Sequence, residues 1–244
     1  MRSFTFNGVS LSSLGGRITE APFHTVASRD VEQVKIYGQS GDELIDNQSY
    51  NNVPITVKIA FLPYKTSQTA NDIARAVIDW LAPLQGAYYT YTDSWNSGYF
   101  TKARLTNFDE VKRELRTLLT ATLKFSRVPY WYKNSGTDSI TFSNQIMLIN
   151  PESYPSEPVL QLTSPETTNV RIEFNGTPVE VMIYNFQQLP HFLDGVRKQY
   201  YRILNGEKDY ISPAVPPELA PGENIITLSD SRISCTLTPN WRRL

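Results

Sequence analysis

Between residues 170 and 183 the chain alternates strictly. Val170, Ile172 and Phe174 are separated by Arg171 and Glu173, Asn175-Gly176 interrupts, and Val179, Val181 and Ile183 resume the pattern. Successive side chains of a strand point to opposite faces, so this period sorts apolar groups to one face and charged groups to the other. Asn-Gly supplies the two positive-φ positions of a tight hairpin turn. A segment of this kind must lay its apolar face against another layer, which commits this part of the chain to a packed antiparallel sheet. The same pattern returns at the end of the sequence, where Ile233, Cys235 and Leu237 alternate with Arg232, Ser234, Thr236 and Thr238. Ile225–Ser229 reads as the hairpin partner of that run across Asp230-Ser231. Gly222, Glu223 and Asn224 then form a turn, and a carboxylate there needs only a scaffold role.

From about residue 133 onward every run is strand-like: "ITFSNQIMLIN", "VLQLTS", the 170–183 hairpin and the terminal pair. "NPESYPSEP" places three prolines close together, a loop signal. Residues 133–244 are therefore expected to form an antiparallel β-sandwich. Residues 1–132 differ. "SFTFNGVS" is a short hairpin turned at Asn7-Gly8. "TSQTANDIARAVIDWLAPL" sets Ile73, Val77, Trp80, Leu81 and Leu84 along one helical face, with Thr69 as N-cap, Asp72 three residues on and Pro83 at the exit. One helix at about 69–82 amid strands predicts an α+β domain with the helix on one face of a sheet. Two of the strands, near 31–37 and 54–62, are joined by a polar stretch too long for an idle hairpin loop. Residues 38–53 are read as a projecting arm, with Gln39, Ser40, Asp42, Glu43, Asn47 and Tyr50 as candidate interface residues.

Little here supports catalysis. His24 and His191 are the only histidines, so no two-His zinc face exists and no nucleophile has a well-supplied base. Asp42/Glu43 and Asp109/Glu110 are sequence neighbours, which a strand throws to opposite faces. No phosphate-cradling glycine loop or calcium loop is present. Cys235 is the single cysteine and lies on an apolar strand face, so it reads as core. The reading is of no catalytic, cofactor or metal residues. A formal net charge of −1 gives no global basic field for gripping a phosphate backbone. The start, "MRSFTFNGVS", has no apolar run of signal-peptide length and no membrane-spanning run follows, which predicts synthesis in the cytoplasm without membrane insertion. The aromatic clusters "YYTYTDSW" and "VPYWY" fit either core packing or stacking on sugar rings.

In their order, "FTFNGVSLSSLGGRI", "VKIAFLPYKTSQTANDIARAVIDWL", "GAYYTYTDSWNSGYFTKARL", "LKFSRVPYWYK", "LNGEKDY", "PPELAPGENIITLS" and "LTPNWRRL" resemble the distal tail protein family of long-tailed bacteriophages along essentially the whole chain. The resemblance implies an N-terminal domain that forms a hexameric ring and a C-terminal galectin-like β-sandwich. It implies a structural hub of the tail tip or baseplate, in the virion, joining the tail tube protein to the tail-tip protein and to receptor-binding or adaptor proteins during host adsorption. DNA would pass through the ring without specific binding. The alternative function is a carbohydrate-binding tail accessory protein that uses exposed tyrosine and tryptophan clusters.

Overall fold

The structure, a computed structural model, describes residues 2–20, 25–63, 68–108, 111–115, 118–184, 189–212 and 216–244. Their contacts divide the chain into two compact units, one running to Trp131 with Leu244 added, the other spanning Tyr132–Arg243.

The first unit opens with β1 (Phe4–Phe6), β2 (Val9–Ser10) and β3 (Gly16–Glu20). Next come β4 (Arg29–Lys35), β5 (Asp42–Tyr50) and β6 (Val53–Phe61). Helix α1 (Ala70–Leu81) is followed by β7 (Tyr89–Asp93), β8 (Tyr99–Phe108), β9 (Lys112–Leu115) and β10 (Leu118–Arg127). The main sheet runs in the order β2-β1-β7-β8-β10-β6-β3, with antiparallel neighbours throughout. Alternation along β6 and β10 sends Ile55, Val57, Ile59, Leu119, Ala121, Leu123 and Phe125 into one core. The helix joins that core through Ile73, Val77, Trp80 and Leu81, all buried. Its start is a closed capping box, because the Thr69 hydroxyl accepts from the Asp72 amide at 3.3 Å and the Asp72 carboxylate accepts from the Thr69 amide at 3.0 Å. The Thr69 hydroxyl, which also donates to the Asp72 carboxylate at 2.6 Å, and then the Thr69 amide hold Asp72 below the usual carboxylate range.

A short strand, β11 (Trp131–Lys133), precedes the strands of the second unit: β12 (Ile140–Phe142), β13 (Gln145–Asn150), β14 (Val159–Thr163), β15 (Thr168–Phe174) and β16 (Thr177–Ile183). They continue as β17 (His191–Asp194), β18 (Gln199–Leu204), β19 (Glu207–Ser212), β20 (Gly222–Leu228), β21 (Ser234–Thr238) and β22 (Arg242–Arg243). One sheet is ordered β12-β21-β14-β17-β18-β19 and the other β13-β20-β15-β16. Their inner faces share a single core in which Leu160, Leu162, Leu193, Cys235 and Leu237 meet Val170, Ile172, Phe174, Val181, Ile226 and Leu228. This is an antiparallel β-sandwich. Burial pushes the Cys235 thiol up to about 12, so it behaves as a small apolar side chain.

Two expectations are corrected. Ile225–Ser229 and the terminal strand are not a hairpin: β20 pairs with β13 and β15, whereas β21 pairs with β12 and β14 in the opposite sheet. The Asp230-Ser231 turn crosses the sandwich rather than joining neighbours. It is shaped by the Ser229 amide donating to Arg171 O and by an Arg232–Asp230 ion pair. In addition, the stretch read as a polar connection after a strand at 31–37 contains a nine-residue strand of its own, β5, which pairs with β4 as a separate two-stranded ribbon. "DELIDNQSY" carries no sustained apolar alternation, so its strand character rests on backbone pairing that periodicity does not reveal.

Trp80 fastens the helix to the sheet, since its ring stacks on Phe4 at 5.8 Å and its indole N–H donates to Phe6 O at 3.3 Å. Trp80→Ala is expected to cost ~3–5 kcal/mol, the range for emptying a large buried aromatic site. Thermal unfolding monitored by near-UV circular dichroism measures it, and an unchanged transition would show that this contact does not hold the helix.

Candidate interaction surfaces

The β4-β5 ribbon is exposed along almost its whole length. Its hydrogen-bonded register pairs Gln33 with Leu44 and Glu32 with Ile45, so Leu44 and Ile45 fall on opposite faces. Both are exposed, at 62% and 49%, as are Val31, Ile36 and Tyr37. A two-stranded ribbon bare on both faces is marginal in water, and apolar side chains on it call for a covering surface. The tip closes through the Gln39 amide donating to Ile36 O. At the root, Arg29 Nε reaches both oxygens of Asp46 at 3.0 Å and its guanidinium covers the Tyr50 ring at 4.9 Å. The Gln48 amide, then Arg29, hold the Asp46 carboxyl below its ordinary range.

Of the candidate arm residues, Gln39 and Ser40 lie in the tip turn, while Asp42, Glu43 and Asn47 are exposed along β5. Tyr50 stands apart. It is half-buried at the root, edge-on to Tyr130 at 6.1 Å, and so anchors the ribbon within its own chain.

In the second unit, Gly222 begins β20 at φ +83°, a conformation that side chains resist, and Glu223 beside it is exposed. Asn224 is 1% exposed and ties the corner together. Its amide donates to Ala220 O at 2.8 Å and Gly222 O at 3.0 Å, and its carbonyl accepts from Asn175 Nδ2 at 3.1 Å. Asn175 in turn accepts from the Ile225 amide at 2.7 Å. The hairpin turn at 175–176 and the start of β20 are thus one network; the reading of Gly222, Glu223 and Asn224 as a turn is corrected, since all three lie in β20 opposite Asn150, Ile149 and Leu148. Beside it, Met147 pairs across with Ile225 and Ile149 with Glu223; Met147, Ile149 and Ile225 are exposed on the outer face at the edge strand β13. That outer face is an apolar patch bordered by the Glu223 carboxylate.

No protein-family model matches the sequence, and no curated protein matches it. Solved structures do. The whole chain aligns with the whole of the SPP1 Dit protein, described as a paradigm of the hub adsorption apparatus in phages infecting Gram-positive bacteria, at a TM-score of 0.67 and 14% identity. It also aligns with a chain of the phage P2 baseplate in its activated conformation with calcium, covering 100% of this chain and 98% of that one, at a TM-score of 0.54 and 8% identity. The chain has the Dit fold.

Within the Dit fold the two aromatic clusters go largely to packing. Tyr91 and Trp131 are buried and their rings lie 6.3 Å apart; Tyr91 also stacks on Phe4 at 5.6 Å. Burial and the nearby Asp93 charge raise the Tyr91 hydroxyl far above its normal range. Tyr88 is the exposed member, with its hydroxyl taken by Asn52 at 2.5 Å. Of the two readings of these clusters, core packing holds for Tyr91 and Trp131, since alternation along β7 turns Tyr91 inward. His24, Asp109 and Glu110 lie outside the described residues. Among the described residues no helix is long and apolar enough to cross a membrane.

His191 is fully buried in the sandwich. The Tyr184 amide donates to Nε2 at 3.2 Å, so Nε2 is bare and Nδ1 carries the proton to Leu189 O at 3.1 Å. Burial lowers its pKa, the Leu189 carbonyl opposes, and the Arg202 charge adds to the lowering. A base held neutral in the fold binds fewer protons than when unfolded, so its stabilising effect is full above the unfolded value of about 6.5 and is lost as pH falls below it. Melting curves at neutral and mildly acidic pH should therefore converge for His191→Gln relative to wild type, the wild type losing its advantage in acid. A constant difference across pH would show that His191 does not titrate on unfolding.

At the corner, Asn224→Ala strands the Asn175 amide and the Ala220 carbonyl and is expected to cost ~1–3 kcal/mol. Gly222→Val should cost ~1 kcal/mol or more through strain at positive φ. Glu223→Gln should stay within about ±0.5 kcal/mol. Chemical denaturation of the three variants measures that order, and a Glu223→Gln loss as large as that of Asn224→Ala would contradict it.

Proposed function

We propose that the chain is a non-enzymatic structural hub of a bacteriophage tail tip, located in the virion, forming a hexameric ring that joins the tail tube to the tail-tip protein and to receptor-binding or adaptor proteins during host adsorption. The observation that carries this reading is the end-to-end likeness in fold to the SPP1 Dit hub protein, with the phage P2 baseplate chain beside it. The galectin-like character of the sandwich belongs to the same proposal.

The β4-β5 ribbon supplies the means of ring formation. Its two exposed faces, each carrying apolar side chains among charged ones, fit the neighbouring copy of the same chain, with Gln39, Ser40, Asp42, Glu43 and Asn47 as flanking contacts and Tyr50 as the fixed root. A head-to-tail contact of this type must close on itself or grow into fibres, and a hub around a tail requires closure. The Met147–Ile149–Ile225 face is the surface proposed for an adaptor or receptor-binding protein. A net charge of −1 leaves DNA free to pass through the ring without specific binding.

Replacing both Leu44 and Ile45 by Ser should leave the melting temperature unchanged, because both side chains are exposed in the single chain, and should abolish rings in negative-stain images and in sedimentation. Rings that persist in the double variant would move the interface off the ribbon. A wild-type chain that is monomeric alone and with its tail partners would overturn the hub reading itself.

A further inference from the structure

Among the described residues the two sheets of the sandwich end in four edge strands, and three of these are guarded. In the six-stranded sheet, β12 is only three residues long, and β19 carries Glu207, Lys208 and Asp209 together with a break in its register against β18. In the four-stranded sheet, β16 carries Pro178 and Glu180. Short length, charge, proline and register breaks are the devices that keep a bare edge from pairing with another chain. The fourth edge, β13, has none of them. "QIMLIN" runs for six residues without a charge, a proline or a glycine, and pairs with β20 in unbroken register.

The register shows what that edge offers. The Leu228 amide donates to Asn144 O at 2.7 Å, so Asn144 and, at every second residue after it, Ile146, Leu148 and Asn150 turn their backbone groups toward β20. Gln145, Met147 and Ile149 therefore present theirs to the open side, where among the described residues no strand lies. The side chains of the same three residues stand on the outer face, with Met147 59% and Ile149 65% exposed. Unpaired amides and carbonyls at every second residue match an extended backbone, so a partner that satisfies them is itself a strand.

The edge is complementary to itself. In an antiparallel pairing centred on Met147, Met147 opposes its own counterpart and Gln145 opposes Ile149 of the other copy, each pair exchanging two backbone hydrogen bonds. Because Met147 lies opposite Ile225 on β20, one row across the junction reads Ile225, Met147, Met147, Ile225, without a charge. On the inner face half-buried Ile146 meets the second copy's Leu148, which continues the sandwich core. Glu223, opposite Ile149, is the carboxylate that borders the patch. With strands about 4.8 Å apart and a rise of about 3.4 Å per residue, this pairing sets the two Glu223 side chains about 20 Å from each other, beyond the reach of screened repulsion. We propose that β13 is a two-fold interface through which two copies of this chain join their four-stranded sheets, edge to edge, into one continuous sheet. In the isolated protein the second copy thus occupies the face assigned above to an adaptor, and the pair opens when an adaptor docks. The pairing asks nothing of the β4-β5 ribbon and stands whether or not a ring closes through it.

Cysteine cross-linking of the full chain tests this. In the proposed register the two Met147 Cα atoms lie about 5.5 Å apart, inside the ~4.4–6.8 Å that a disulfide spans. Cys235 is the single native cysteine and is fully buried, so it does not compete. Met147→Cys should become a covalent dimer on a non-reducing gel after air oxidation. Ile149→Cys, at a more exposed site but off the two-fold axis, should lag far behind it, whereas Ile149→Cys combined with Gln145→Cys should cross-link. The Met147→Cys cross-link should persist in the Leu44→Ser, Ile45→Ser background, which separates this contact from ring formation. In that same background Met147→Lys, which sets two like charges opposite each other, should weaken self-association by roughly tenfold or more in sedimentation equilibrium, with an unchanged circular-dichroism spectrum. A Met147→Cys chain that forms no cross-link would overturn the proposal and leave the edge to a strand of another protein. Equal cross-linking at Ile149, loss of the Met147 cross-link in the ribbon variant, or undiminished association of Met147→Lys would overturn it too.

Discussion

The contact on which the first unit depends is made by its first strand. Phe4 stacks on Trp80 and Tyr91 and meets Phe125 edge-on at 5.9 Å, while Phe6 meets Phe125 at 5.0 Å and Tyr89 at 5.7 Å. Two residues of β1 thereby join the helix, β7 and β10, elements that all lie far along the sequence from it. Offset and edge-on aromatic pairs add about 0.5–1.5 kcal/mol each beyond the area they bury. The pairs share rings, so their effects are coupled rather than additive. Because the helix and main sheet satisfy their apolar groups on this cluster, no internal face remains for the β4-β5 ribbon. Its exposure follows from the core being complete without it.

The second unit meets a different demand, since its chain end has to be fixed. Arg242 is 2% exposed and its guanidinium donates to Pro155 O at 2.7 Å, to Glu157 and to Glu218 at 3.2 Å. Burial raises the Glu157 carboxyl, with the Arg242 charge and hydrogen bond opposing. A buried ion pair costs desolvation on both sides, and its worth here lies in position: it fixes the final residues against the proline-rich loop. The "NPESYPSEP" stretch, legible only as a loop, is therefore one half of a clasp.

Some elements could be read directly. The 170–183 hairpin forms in the expected register, Val170 opposite Val181 and Ile172 opposite Val179, with Asn175 and Gly176 both at positive φ. The helix face of Ile73, Val77, Trp80 and Leu81 is the buried one. These cases share a cause: a single stretch of sequence contains both the period and the turn or cap that ends it. The ribbon was only half legible. The polar stretch too long for an idle loop was visible, but the apolar residues around it, Val31, Ile36, Leu44 and Ile45, are spaced without a core-facing period because they face no core in this chain.

The sequence by itself determined the local grammar: strands from alternation, one helix from its face and capping box, and tight turns from Asn-Gly. Tertiary structure alone decided which strands are neighbours. Period two says which face of a strand is buried but not which strand lies beside it, so β20 and β21 look like a hairpin and sit in opposite sheets. The same limit hid the Asn175–Asn224 clamp and the cross-strand ion pair of Arg202 with Asp209. Each joins residues whose side chains are ordinary in sequence and become specific only when backbone pairing sets them within hydrogen-bond reach.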